Sequence, residues 1–189
     1  YFIDSLTDML ADTILDESEK AFNQLVIYGK DVEDEGIIVN YARQMPMMGS
    51  YEVIIVKEAQ QLRQIEKLSH YTSKPQTSTI LIICHKEKSV DKRSAFYKQC
   101  NSAGEVFEAI RPRDYEIGPW LTQFIASKGL RISPKAVQML TDHLGCDIAK
   151  ISNELDKLLV SLPAGTTDIT DMHIEQNVGI SKDFNNFEL

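Results

Sequence analysis

The sequence predicts an α/β domain with a mostly parallel sheet, followed by a smaller all-helical domain. Three observations carry that expectation. Residues 51–56 (YEVIIV) and 79–84 (TILIIC) hold continuously apolar stretches, the composition of strands covered on both faces. Strand-patterned and helix-patterned segments alternate as far as Arg113, as they do in parallel sheets crossed by helices. Beyond Arg113 only helical periodicity remains. The boundary therefore falls near residues 112–115, giving units 1–113 and 114–189.

Taken in order, Phe2, Ile3, Leu6, Met9, Leu10, Ile14 and Leu15 recur at three- and four-residue steps, an amphipathic helix. Residues 16–19 (DESE) form a polar break, and residues 22–28 (FNQLVIY) a strand ended by Gly29. Residues 31–36 (DVEDEG) read as an acidic solvated loop and 37–44 as a short helix stopped by Pro46. After the strand at 51–56, residues 57–71 are helix-compatible, 73–78 form a loop and 79–84 the next strand. A basic helix spans 91–100, and 106–110 is a short strand closed by Pro112. In the second unit, Trp120, Leu121, Phe124 and Ile125 stripe a helix over 115–128 that Gly129 ends. Ser133-Pro134 starts another, with serine at the cap and proline at the first turn. Ile148, Ile151, Leu155, Leu158, Leu159 and Leu162 mark a long helix stopped by Pro163. A last short helix runs from residue 169 to Asn177.

Composition narrows the function. With 43% hydrophobic and 25% charged residues, the chain has enough apolar surface for a sizeable core and is not a disordered segment. No run approaches the length of a membrane span. Cys84, Cys100 and Cys146 lack CxxC spacing and read as reduced thiols of a cytoplasmic protein. The net charge of −8 opposes a nucleic-acid-coating role. It is unevenly spread: residues 57–113 hold 11 basic and 6 acidic residues, whereas both flanking segments are acidic. The middle of the chain could face an anion although the whole could not. The chain starts at Tyr1 without a methionine and stops at Leu189 without a polar tail, so both ends read as cuts through a longer protein.

Catalytic motifs are scarce. Gly29-Lys30 follows a strand but lacks the first glycine and the Ser/Thr of a phosphate-binding loop. Residues 53–58 (VIIVKE) have the form of a Walker-B-like strand end, where an acid would hold Mg²⁺. Lys57 stands in place of the first acid and cannot ligate a metal, leaving Glu58 alone, so the site is degenerate. His70, His85, His143 and His173 are scattered singly and offer no metal-binding spacing. No nucleophile elbow is present, and the acid pairs Asp16-Glu17 and Asp34-Glu35 read as solvated loop. No catalytic residue, cofactor or metal is expected. Two other features stand out. Residues 44–49 (QMPMMG) set three methionines between a helix and a strand. Methionine suits either an irregular core or an adaptable binding surface, and pattern alone leaves both open. Lys86, Lys88, Lys92 and Arg93, with Lys98 beyond, follow the second apolar strand at the carboxyl edge of the sheet. They could face phosphate or an acidic partner, or begin a solvated helix.

Several segments resemble the delta subunit of bacterial DNA polymerase III, a component of the sliding-clamp loader. Residues 1–4 (YFID) look like the start of the helix after that family's degenerate phosphate loop, and 22–29 like its next strand. Residues 46–49 (PMMG) followed by 51–58 resemble the place where the family sets a large apolar pair before a strand. Residues 145–158 (GCDIAKISNELDKL) resemble the signature of its small helical domain and are the most specific piece.

The resemblance implies an AAA+-like P-loop NTPase fold with a degenerate nucleotide site, then a helical lid. It implies a fragment lacking the extreme N-terminus and a third, collar domain. It also implies a non-catalytic subunit of a DNA-directed DNA polymerase holoenzyme. The partners would be the β sliding clamp, the gamma/tau and delta-prime loader subunits, and primed DNA within the assembled loader. The apolar pair that enters a pocket on the clamp and opens the ring maps onto Met47 and Met48, with Gln44 and Pro46 beside them. The commonest family pattern has Leu-Phe at the pair and a glutamine five residues before the phenylalanine; Arg43 stands at that position here and Gln44 follows it. Two rival readings are an AAA+ ATPase whose phosphate loop precedes residue 1, which Lys57 opposes, and an interaction module unrelated to replication.

Overall fold

A computed structural model describes residues 1–47 and 49–178. They form two compact units, the first Tyr1–Ala109 and the second opening at Ile110.

In the first unit, α1 (Phe2–Thr13) and α2 (Glu17–Asn23) precede β1 (Gln24–Tyr28). Then come α3 (Gly36–Ala42), β2 (Glu52–Lys57), α4 (Ser69–Thr72), β3 (Thr79–Ile83) and α5 (Ala95–Ala103). The three strands pair in parallel in the order β1-β2-β3. Central Ile54 lies opposite Leu25 on one side and Leu81 on the other. Successive side chains of a strand point to opposite faces, so β2 feeds two cores. Ile54 and Val56 pack with Ile38 and Ala42 of α3, Leu68 just before α4, Tyr71 of α4 and Phe96 of α5. Val53 and Ile55 pack with Leu15 and Cys84, and with Ile3 and Ala11 of α1. Helices thus cover both faces, which is why the run VIIV is apolar without alternation.

The second unit holds α6 (Asp114–Ser127), α7 (Pro134–Leu144), α8 (Ile148–Ser161) and α9 (Asp171–Asn177). Ile117, Leu121, Ile125, Leu140, Ile151, Leu155 and Ile174 are its buried faces. The caps follow the sequence: the Ser133 hydroxyl accepts from the Ala136 N–H at 3.2 Å, and the Asp147 carboxylate from Ala149 and Lys150 at 3.1 and 3.2 Å.

Four local expectations are corrected. The break at 16–19 is a helix start. Glu19 accepts the Asp16 N–H at 3.2 Å, a reciprocal cap that nucleates α2 and draws Phe22 and Asn23 out of the strand. Residues 57–71 hold 3₁₀ turns at Ala59–Gln61 and Ile65–Leu68 before the single turn of α4. Residues 106–110 form no strand; β propensity needs a neighbouring edge to pair with, and no described strand pairs there. The second unit is not purely helical, since β4 (Arg131–Ile132) and β5 (Asp168–Ile169) pair in parallel.

The acidic loop also differs from expectation. Glu35 is only 1% exposed. Its carboxylate accepts the Gln64 N–H at 2.7 Å and lies 3.5 Å from the Lys67 ammonium. Burial pushes its pKa up, but the backbone N–H donors and Lys67 outweigh burial and hold it below the ordinary value.

Candidate functional site

The methionine segment leaves the C-terminal end of α3. A helix end leaves carbonyls without intrahelical partners; one of these, and a second carbonyl just past the cap, are taken up by the segment before and at β3. The Thr79 hydroxyl donates to the Ala42 carbonyl at 2.9 Å, and the Gln76 amide donates to the Gln44 carbonyl at 2.9 Å. From the other side of the loop, Asn23 at the end of α2 is fully buried and its Oδ1 accepts the Met47 N–H at 2.9 Å. Gly49 has φ of 115°, and a Cβ there would run into the Glu19 carboxylate of α2. Only glycine meets both demands without strain.

On this frame Met45 is 73% exposed and Met47 76% exposed. Met47 therefore does not fill the gap between helix and sheet. Gln44 is exposed and Pro46 half-buried. Met48 lies outside the described residues. Of the supporting groups, Asn23, Gln76 and Thr79 carry no local sequence signal, because each reaches the loop across more than twenty residues of chain.

The end of β2, expected to be Walker-B-like, carries an ion pair. The Lys57 ammonium lies 3.3 Å from Asp8 of α1. It is one rung of a ladder: Asp4, Asp8 and Asp12 stand one helical turn apart and pair with Lys86, Lys57 and Lys20 respectively. Glu58 takes a left-handed conformation, φ 53° and ψ 44°, and its carboxylate accepts from the Gln61 amide at 2.9 Å. The Glu58 carbonyl packs so closely on Gly29 that a Cβ at 29 would overlap it, which accounts for the glycine after β1. Beneath α1, the Thr7 hydroxyl and Cys84 thiol meet at 3.0 Å, and burial pushes the thiol pKa up.

The basic stretch divides. Lys86 pairs with Asp4, Lys92 with Glu108 at 2.7 Å, and Arg93 with Asp91 at 3.2 Å. Among the described residues Lys88 alone of the four pairs with no carboxylate, and it is exposed. No group of His, Cys, Asp or Glu among the described residues is placed to hold a metal. No helix among them is long and apolar enough to cross a membrane.

Comparison with known proteins agrees with this architecture. The fold matches the Bacillus subtilis DNA clamp loader delta protein (YqeN) with a TM-score of 0.72 at 19% identity, over 94% of this chain. The match spans 55% of that protein, so the chain corresponds to about half its length. No curated protein matches by sequence. The family model for the DNA polymerase III delta subunit matches residues 1–110, more than half of the chain. The chain belongs to the DNA polymerase III delta subunit family.

Proposed function

We propose that this chain is the clamp-engaging part of a clamp-loader delta subunit, and that the loop around Met47 and Met48 docks on the β sliding clamp and favours the open ring. The observation that carries this reading is Met47: a long apolar side chain, 76% exposed, whose backbone N–H is held at 2.9 Å by a buried residue. An exposed apolar residue on an anchored loop is a candidate anchor, since burying such a side chain in a pocket contributes about 1.5–3 kcal/mol. Met48, and Gln44 and Pro46 beside them, complete the docking segment.

The division of labour follows the two units. Residues 1–113 serve as the AAA+-like domain and residues 114–189 as the helical lid of a subunit that hydrolyses no nucleotide. Lys57 in ion contact with Asp8, where an acid would hold Mg²⁺, supports a non-catalytic role within the polymerase holoenzyme. The gamma/tau and delta-prime subunits are the proposed neighbours in the cytoplasm. In the assembled loader, Lys88 is the member of the basic stretch available to a DNA phosphate.

The test is a calorimetric titration of the full-length protein with the β clamp. Met47→Ala combined with Met48→Ala is expected to weaken binding at least about a hundredfold, the loss of two anchor side chains, with an unchanged thermal transition. Equal affinity of variant and wild type overturns the reading.

A further inference from the structure

The supports of the methionine loop are unusual for an exposed turn. A surface loop normally satisfies its N–H groups with water. Here the Met47 N–H is taken by Asn23, a side chain with no solvent exposure, 24 residues away. Asn23 is the last residue of α2 and directly precedes β1, so its position is set by that junction. On the opposite flank the Gln76 amide donates both to the Gln44 carbonyl and to the Ser78 hydroxyl, each at 2.9 Å. Gln76 Nε2 also lies 3.3 Å from the Met45 sulfur. The Gln76 backbone N–H in turn donates to the hydroxyl of buried Tyr71 at 3.2 Å. Each side of the loop is thereby tied to a residue of the core.

We propose that Asn23 and Gln76 are positioning residues for clamp docking: a two-sided clasp that holds the Met47 loop in its docking shape before the partner arrives. This inference rests on the reading that Met47 docks on the clamp. Preorganisation of the loop gives these residues that role. Ordering a rotamer-rich loop at an interface opposes binding, and a loop ordered beforehand escapes that cost. The clasp acts on the backbone at 44 and 47 and leaves the exposed Met47 side chain free to adapt to a pocket.

The experiment uses full-length protein and the β clamp. Four proteins are titrated against it beside wild type: Met47→Ala, Asn23→Ala, Gln76→Ala, and Asn23→Ala with Met47→Ala. Amide exchange at Met47 is followed by NMR in the unbound proteins. The clasp predicts that Asn23→Ala weakens binding about tenfold and Gln76→Ala about threefold. It predicts faster exchange of the Met47 amide in Asn23→Ala, at a thermal transition that leaves the protein folded. It also predicts that Asn23→Ala costs less affinity in the Met47→Ala background than in wild type, since part of what the clasp presents is that side chain. If Met47→Ala binds as wild type does, the docking reading itself falls, and the clasp with it. If Met47→Ala loses affinity while Asn23→Ala and Gln76→Ala retain it, docking stands and the clasp is overturned. Should Asn23→Ala fail to fold, Gln76→Ala decides alone: retained affinity overturns the clasp and a threefold loss supports it.

Discussion

Glu35 and Asn23 show how single buried polar groups organise the first unit. Each is nearly inaccessible, and each accepts a backbone N–H from a distant segment. Removing such an acceptor strands a donor and costs about 1–3 kcal/mol. Glu35→Ala is therefore expected to lower the unfolding free energy by roughly that amount, read from urea denaturation at neutral pH. The same residue predicts a pH dependence. Its folded-state pKa is held below the ordinary glutamate value of 4.5. Its contribution is therefore fully present above 4.5 and is lost as pH falls from there through the lower folded value. Stability against pH should fall on the acid side in wild type, and Glu35→Gln should flatten that limb. An unchanged acid limb in the variant would show that Glu35 titrates alike in both states. Neither residue was legible in the sequence. Glu35 lies within DVEDEG, which has the composition of solvent-facing loop, and its burial depends on Gln64 and Lys67 arriving from 29 and 32 positions away. Local pattern carries no information about such partners.

At the scale of elements, β2 is the centre of the unit, with Val53 to Val56 all at most 1% exposed. Ile54→Ala removes a side chain packed against α3, α4 and both neighbouring strands. It should cost about 2–5 kcal/mol, measured as a shift of the urea midpoint at constant slope. A loss below about 0.5 kcal/mol, the size of an ordinary surface substitution, would mean that the site collapses without leaving a cavity. The strands and long helices were readable because their signals are local: continuous apolar runs, 3.6-residue periodicity, and the cap at Ser133. The failures have one physical origin, a competing context. Phe22 fits a strand until the Asp16–Glu19 cap starts a helix ahead of it. Val106 and Phe107 have strand chemistry but no described strand to pair with. The aspartate ladder of α1 belongs to this scale too. Asp4, Asp8 and Asp12 recur at four-residue steps along α1, whereas their lysines come from β2, α2 and the segment after β3. Lys57→Asp sets a second carboxylate against Asp8 and should destabilise by about 1 kcal/mol at low salt, and less at high salt. Urea titrations at the two ionic strengths check both the sign and the screening.

At the scale of the whole molecule, the two units are joined through a segment without helix or strand from Gly104 to Arg113, in which Phe107 is 57% exposed. Exposed backbone without a hydrogen-bond ladder is where proteases enter. Brief chymotrypsin treatment is expected to cut first after Phe107, giving two products separable by mass spectrometry. A first cut inside α6 or α8 instead would contradict the division into two compact units. The candidate docking loop was half legible at this scale: QMPMMG was visible, but whether its methionines faced core or solvent was not. For Met45 and Met47 that answer came from long-range supports on α2 and around β3 that fix where the loop stands.

The rung between Lys57 and Asp8 also has a genetic consequence. An acid introduced at 57 meets the carboxylate of Asp8, so the change is penalised while Asp8 remains. Loss of Asp8 alone leaves Lys57, with 29% of its side chain exposed, without that partner. The two positions are thus epistatic: the cost of an acid at 57 depends on which residue stands at 8.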